Sequence, residues 1–111
     1  MAGLADERCV ELNSQAVGLT AAAAGELKLQ LPDWTLINDG MDKLERAFIF
    51  VNFADAMAFA SKVGEAAEAQ GHHPELTTTW GRTTLRWWTH VVRGLHRNDF
   101  IMAAKTDALA S

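Results

Sequence analysis

The chain has a single cysteine, Cys9, in 111 residues. That count excludes an internal disulfide or a cysteine-built metal cage and suits a reducing cytosol; Cys9 itself falls in a segment expected to be mobile. Positive charge is also scarce, with 10 Lys and Arg against 14 Asp and Glu, a net charge of -4 and a pI near 5.4. Such a balance carries no electrostatic footprint for direct nucleic-acid binding and no polybasic anchor for anionic lipid. No apolar run has the length of a membrane span, and the first twenty residues lack a basic start followed by an apolar stretch, so the cytoplasm is the expected location. There is no glycine-rich phosphate cradle, internal repeat, linker or low-complexity segment. No serine lies between Glu68 and Asp99 and Cys9 is remote from that window, so nucleophilic catalysis has no candidate there.

What is present is ordinary globular composition, 49% hydrophobic and 22% charged, enough for one domain that buries roughly two thirds of its unfolded surface. Residues 1–19 have no sustained period and are expected to form a flexible leader, with residues 20–111 as the single domain. Thr20 is placed to cap a helix through Ala21–Ala24, with Leu27 and Leu31 on one side and Pro32 as its stop. Trp34–Asn38, the turn Asn38-Asp39-Gly40 and the alternating run Lys43–Val51 read as a hairpin, with Leu44, Arg46, Phe48 and Phe50 on one face. Asn52 caps a helix whose stripe is expected to be Phe53, Ala56, Met57, Ala60, Val63, Gly64 and Ala67, ended by Gly71.

Glu75–Trp80 and Thr83–Val91 predict two more strands, joined by Gly81-Arg82 with glycine first in the turn. Gly94-Leu95 lead into a last helix, about His96–Ala110, with Phe100, Ala103, Ala104 and Ala108 as its apolar positions. The fold class is therefore α+β: a four-stranded antiparallel sheet with helices packed on one face, in the order α-β-β-α-β-β-α. The other face, carrying Ile49, Val51 and Trp88, is expected to meet a second subunit or a flat ligand if those residues are contiguous. Trp34 and Trp80 are assigned to the core and Trp88 to the ligand face.

The chemistry concentrates between Glu68 and Asp99. His72 and His73 are adjacent, and Pro74 pushes His73 toward an extended conformation in which neighbouring side chains diverge and do different jobs. Imidazoles titrate near neutrality, so two of them on one reacting group supply a general acid and a general base at the same pH. His90, at the end of the fourth strand, is the expected second wall of the pocket. Glu68, one turn before His72, is placed either to accept a hydrogen bond from an imidazole or to sit in solvent. Zinc wants three or four convergent ligands, which diverging histidines without cysteine supply poorly. His96 reads as a helix start, and Asp99 suits the macrodipole in that helix's first turn.

Glu68, three residues, His72-His73-Pro74, five residues, Trp80, nine residues, His90 and eight residues to Asp99 together resemble the signature of the pterin-4a-carbinolamine dehydratase family. Leu31-Pro32-Asp33-Trp34, Leu44 with Arg46, Phe48 and Phe50, and Asn52-Phe53 extend the likeness over about residues 20–110. The resemblance implies dehydration of 4a-hydroxytetrahydrobiopterin to quinonoid dihydropterin and water, which supports pterin recycling for aromatic amino acid hydroxylation and needs no redox cofactor or metal. It implies His72 and His90 as the acid/base pair, His73 as a positioning and assisting residue, and Glu68 and Asp99 in support. Gly71, His72, His73, Trp88, Thr89, His90 and Val91 would bind the substrate.

The family forms dimers or tetramers and in animals is also known as a dimerisation cofactor of homeodomain transcription factors. Expected partners are therefore a pterin, further copies of this chain and an aromatic amino acid hydroxylase. The rival reading is a non-catalytic dimerising module that binds a hydroxylase or a transcription factor; a small-ligand carrier is a third. Where the family has a polar residue and then Gly-Gly-Leu-Thr, this chain has Val91-Val92-Arg93-Gly94-Leu95-His96, with the helix cap expected to be lost at His96 and the rim altered at Val91 and Arg93. Gly71 stands where some members are acidic.

Overall fold

The computed structural model describes residues 3–111, so the first two positions of the expected leader lie outside it. Helix α1 (Ala21–Lys28) starts where the Thr20 hydroxyl accepts from the Ala23 N–H at 3.1 Å. Strands β1 (Thr35–Asn38) and β2 (Asp42–Ile49) pair as a hairpin. Asn52 then caps helix α2 (Phe53–Gln70), its side-chain oxygen accepting from the Asp55 N–H at 2.7 Å. Strands β3 (Glu75–Thr79) and β4 (Arg82–Trp87) form the second hairpin, and helix α3 (Arg97–Ala110) closes the chain. The sheet runs β1-β2-β4-β3 with every pair antiparallel, which is the architecture the alternating patterns called for.

The core lies between the sheet's inner face and α2 and α3. Leu44, Phe48, Leu85 and Trp87 project from β2 and β4 into it, alongside Trp34, Val63, Phe59 and Phe100. The buried stripe of α2 is Ala56, Phe59, Val63 and Ala67, rotated from the expected one. Phe53 and Met57 are about half exposed, at 48% and 45%. Phe59 packs against the sheet, with ring centroids 4.7 Å from Phe48 and 5.2 Å from Phe50.

The β3–β4 turn also differs by one position. Thr79 pairs with Arg82, so the two-residue turn is Trp80-Gly81, and Gly81 takes the second place with φ +70. A left-handed φ favours glycine there. The shift sends Trp80 outward, 74% exposed, and corrects its assignment to the core.

Within the expected leader, Leu4–Val10 is packed against the domain. Leu4, on a 3-10 turn over Leu4–Asp6, is buried in the core, and Lys105 Nζ donates to the Ala5 carbonyl at 2.8 Å. Arg97 grips Glu7 through two hydrogen bonds of 2.8 and 2.6 Å, which hold the Glu7 carboxyl below its usual range. Asn98 bonds both the N–H and the carbonyl of Val10. This segment lies along α3, whose buried residues include Asn98, Ile101, Met102 and Thr106 in addition to Phe100 and Ala103. Cys9 is half-buried, and burial pushes its thiol up to about 11. It is therefore protonated at neutral pH and a poor nucleophile.

On the outer face of the sheet the apolar residues are not contiguous. Ile49 pairs with Arg82 at one end, whereas Trp88 follows the Leu44–Trp87 pair at the other. Between them stands the Glu45–Arg86 ion pair at 2.7 Å. The single apolar patch expected there is thereby divided.

Candidate active site

The site is assembled where α2 ends, β4 ends and α3 begins. Gly71, with φ 64, terminates α2 and turns the chain so that the His72 N–H bonds the Ala67 carbonyl at 3.2 Å. After β4, Thr89 and Gly94 form a two-bond bridge, 2.8 and 3.3 Å, around a 3-10 turn of His90–Val92. His90 is thus on a closed loop and not on the strand end itself. Arg93 closes that turn with φ 55, a left-handed conformation that costs a non-glycine residue about 1–2 kcal/mol.

The two adjacent histidines diverge as their spacing requires. His72 turns inward, 8% exposed, and stacks on Trp87 with ring centroids 6.0 Å apart and an interplanar angle of 8°. Its Nε2 lies 2.6 Å from Asp99 Oδ1. Asp99 is fully buried, and its second oxygen accepts from the Thr89 hydroxyl at 2.7 Å and the His96 N–H at 2.9 Å. Surrounded by donors, the carboxylate takes the Nε2–H of His72, which assigns the tautomer and leaves Nδ1 with a lone pair. Among the described residues Trp87 Nε1 is the one buried side-chain nitrogen or oxygen lacking a partner. Both hydrogen bonds of the His72 ring run through Nε2, and among the described residues its Nδ1 has no hydrogen-bond partner.

His73 points the other way, with Nε2 2.6 Å from Glu68 Oε1 and side chains 60% and 79% exposed. A pair so exposed contributes at most about 0.2–1 kcal/mol to stability. Glu68 thus serves His73, while the buried imidazole is held by Asp99. The sequence signal for Asp99 was its place three residues after His96, the spacing of a capping box.

A cleft of about 520 Å³ is lined by Gly71, His72, His73, Pro74, Glu75, Trp88, Thr89, His90 and Val91, a volume ordinary for a small-molecule site. It brings together all seven residues expected to bind substrate and adds Pro74 and Glu75. Glu68 and Asp99 stand behind its wall, each bonded to one of the histidines. His90 is exposed and meets the Trp88 ring edge-on, centroids 6.1 Å apart at 73°. A second hollow of about 520 Å³ lies between Cys9–Leu12, the end of α2 and Asn98, and shares Gly71 and His72 with the first.

The cap expected to be lost at His96 is present in another form. His96 Nδ1 accepts from the Asn98 N–H at 3.0 Å while Asp99 accepts from the His96 N–H, a capping box with imidazole in place of a hydroxyl. Burial, with His72 nearby, outweighs Asp99 and pushes the His96 imidazole below its ordinary value of 6.5. The folded state therefore favours the neutral acceptor. Its contribution is present above that ordinary value and is lost as pH falls through the depressed one. His96→Thr keeps an acceptor at every pH. Between about pH 8 and about pH 5 the wild type is expected to lose more stability than this variant, by at most about 1 kcal/mol, the worth of one cap. Urea midpoints at the two pH values check this; equal losses would remove the imidazole cap from the account.

Residues 17–109 match the family model described as pterin 4 alpha carbinolamine dehydratase. The chain is 49% identical over 109 residues to the "Putative pterin-4-alpha-carbinolamine dehydratase 1" of Gloeobacter violaceus, covering 97% of this chain and 94% of that protein. It is 48% identical over 108 residues to a "Putative pterin-4-alpha-carbinolamine dehydratase" of Microcystis aeruginosa, covering 96% and 93%. A crystal structure described as a transcriptional coactivator/pterin dehydratase from Brucella melitensis superposes with a TM-score of 0.78 at 31% identity, over 85% of this chain and 99% of that one. A pterin dehydratase-like protein identified as a RuBisCO assembly factor in the alpha-carboxysome shares the fold, with a TM-score of 0.61 at 21% identity over 71% and 90%.

Proposed function

The chain belongs to the pterin 4 alpha carbinolamine dehydratase family, and from that premise we propose that it dehydrates 4a-hydroxytetrahydrobiopterin to quinonoid dihydropterin by histidine acid/base catalysis. The observation that carries this reading is that His72, His73 and His90 line one cleft while a buried carboxylate orders one of them.

In the reaction the C4a–O bond breaks as a proton reaches the leaving oxygen, and the N5–H pair becomes the C4a=N5 bond as its proton is taken away. One proton enters, one leaves, and water departs. His72, with Nδ1 open and Asp99 behind Nε2 to stabilise the imidazolium that forms, is the base. His90, on the opposite wall, is the acid. His73, tied to Glu68, positions the pterin. Each proton transfer of this kind is worth roughly a hundredfold to ten-thousandfold in rate.

Homo-oligomer formation and contact with an aromatic amino acid hydroxylase belong to the same proposal. Ile49, Val51, Phe53 and Met57 are exposed apolar residues that support association. No helix among the described residues is long and apolar enough to cross a membrane, which fits a cytoplasmic role.

The test is to supply the carbinolamine and follow quinonoid dihydropterin with wild type and His73→Ala. A loss of roughly ten- to a hundredfold in kcat/KM is expected for a group that positions and assists. Equal rates in the two proteins would remove the role given to His73, and a wild-type rate no faster than the reaction without protein would leave a binding module in place of the enzyme.

A further inference from the structure

We propose that Lys43, which lies outside the cleft, is a positioning residue that fixes its Trp88 wall. Lys43 Nζ sits 3.9 Å from the centroid of the Trp88 ring. The register explains the meeting: Leu44 pairs with Trp87, so the next rung sets Lys43 opposite Trp88 on the outer face of the sheet. The Lys43 side chain is 11% exposed, and its ammonium is paired with Asp39 at 3.0 Å. An ammonium so far removed from water and aimed at an indole interacts strongly with the ring face. Asp39 is itself held within 3.5 Å of Arg86 Nη1, which anchors the ammonium from behind.

The other end of this contact chain is the site. Trp88 meets His90 edge-on, and both line the cleft, whereas Lys43 does not. Asp39, Lys43, Trp88 and His90 thus form one line of contacts from the β1–β2 turn to the cleft. A Trp88 ring locked in one orientation is a preorganised wall for a flat ligand, and losing the lock adds an ordering cost to binding without touching proton transfer.

The effect is read with K43M, which keeps the length and apolar stem of the side chain, and K43R, whose guanidinium also stacks on indole. In the ligand-free protein, the His90 imidazole proton signals in NMR, assigned with H90Q, carry the ring-current displacement of Trp88. K43M is expected to move them toward the positions they have without the Trp88 ring current and K43R to restore them. With the carbinolamine as substrate, K43M is expected to raise KM about five- to tenfold with kcat within about twofold, and K43R to recover most of the loss.

Unmoved His90 signals in K43M, a fall in kcat at constant KM, or K43R as impaired as K43M would each overturn the proposal. If K43M does not fold, K43Q takes its place in both measurements. The kinetic arm rests on the dehydratase reading and the NMR arm does not. A wild type that fails to dehydrate the carbinolamine removes that reading, while the His90 signals still decide the role of Lys43.

Discussion

Asp99→Asn is expected to lower kcat by roughly a hundredfold to ten-thousandfold, the range of a lost acid/base step, while leaving a folded protein. The carboxylate accepts at once from His72 Nε2, Thr89 Oγ1 and the His96 N–H. An asparagine offers one oxygen and one NH2 in the same volume, so it cannot serve all three donors. If the oxygen stays with Thr89 and His96, the NH2 faces His72 and selects the other tautomer. That choice puts the proton on Nδ1, the nitrogen the proposed mechanism needs open. If the oxygen turns to His72, the Thr89 hydroxyl can rotate but the His96 N–H is left facing a donor. The capping box then fails at a cost of about 1–3 kcal/mol.

Quinonoid dihydropterin formation measured across pH, with far-UV circular dichroism as the check on folding, distinguishes these outcomes. A variant within threefold of wild type would sink the role assigned to the pair of Asp99 and His72. Asp99→Ala is the less informative change, because it strips a buried site of its acceptor and damages fold and activity together.

Trp34→Ala is expected to have the largest effect on stability, about 3–5 kcal/mol. Trp34 is 1% exposed, meets Phe48 edge-on with centroids 6.1 Å apart, and donates its indole N–H to Asp107 Oδ1 at 2.9 Å. Arg46 also binds that oxygen, at 2.7 Å, so one contact ties the entry to β1, the middle of β2 and the end of α3. Trp34→Phe keeps one six-membered ring and removes the donor with the rest of the indole; it is expected to lose less than Trp34→Ala, about 1–3 kcal/mol, because Arg46 still satisfies Asp107.

Urea unfolding reads both changes, with an unaltered m value showing that the midpoint shift is one of stability. Activity per folded molecule is expected to persist in both. Asp107 lies eight residues beyond Asp99 on α3, about 12 Å along the helix from the cleft. A Trp34→Ala variant as stable as wild type would show that the core does not depend on this corner.

Both predictions separate what was legible in the chain from what was not. The caps Thr20 and Asn52 and the stop at Gly71 were legible because each rests on a hydrogen bond or a backbone angle within a few residues. The four strands followed from alternation, and the residues of the cleft followed from the family's spacing. The turn at Trp80-Gly81 was misplaced by one position, because glycine satisfies either place in a two-residue turn and only the pairing of Thr79 with Arg82 selects between them.

Phe59 was missed in the α2 stripe for a related reason: the rotation of a helix about its axis is set by what it packs against. The N-terminal segment carries no periodicity, yet it is held by Arg97, Asn98 and Lys105, residues some ninety to a hundred positions away. His96 passed for a lost cap because hydroxyls and carboxamides are the usual acceptors there, and an imidazole serves only in its neutral form.

By itself, then, the sequence determined the order of elements, the α+β class, the divergence of His72 from His73 and the resemblance that led to the family. All of these depend on local geometry or on spacing along the chain. Only the tertiary structure decided that Asp99 serves His72 and Glu68 serves His73, that Lys43 covers Trp88, and that Leu4–Val10 lies along α3. The physical reason is reach: hydrogen bonds and ring contacts act over a few ångströms, and groups far apart in the chain come within that distance only when the sheet and α3 have packed.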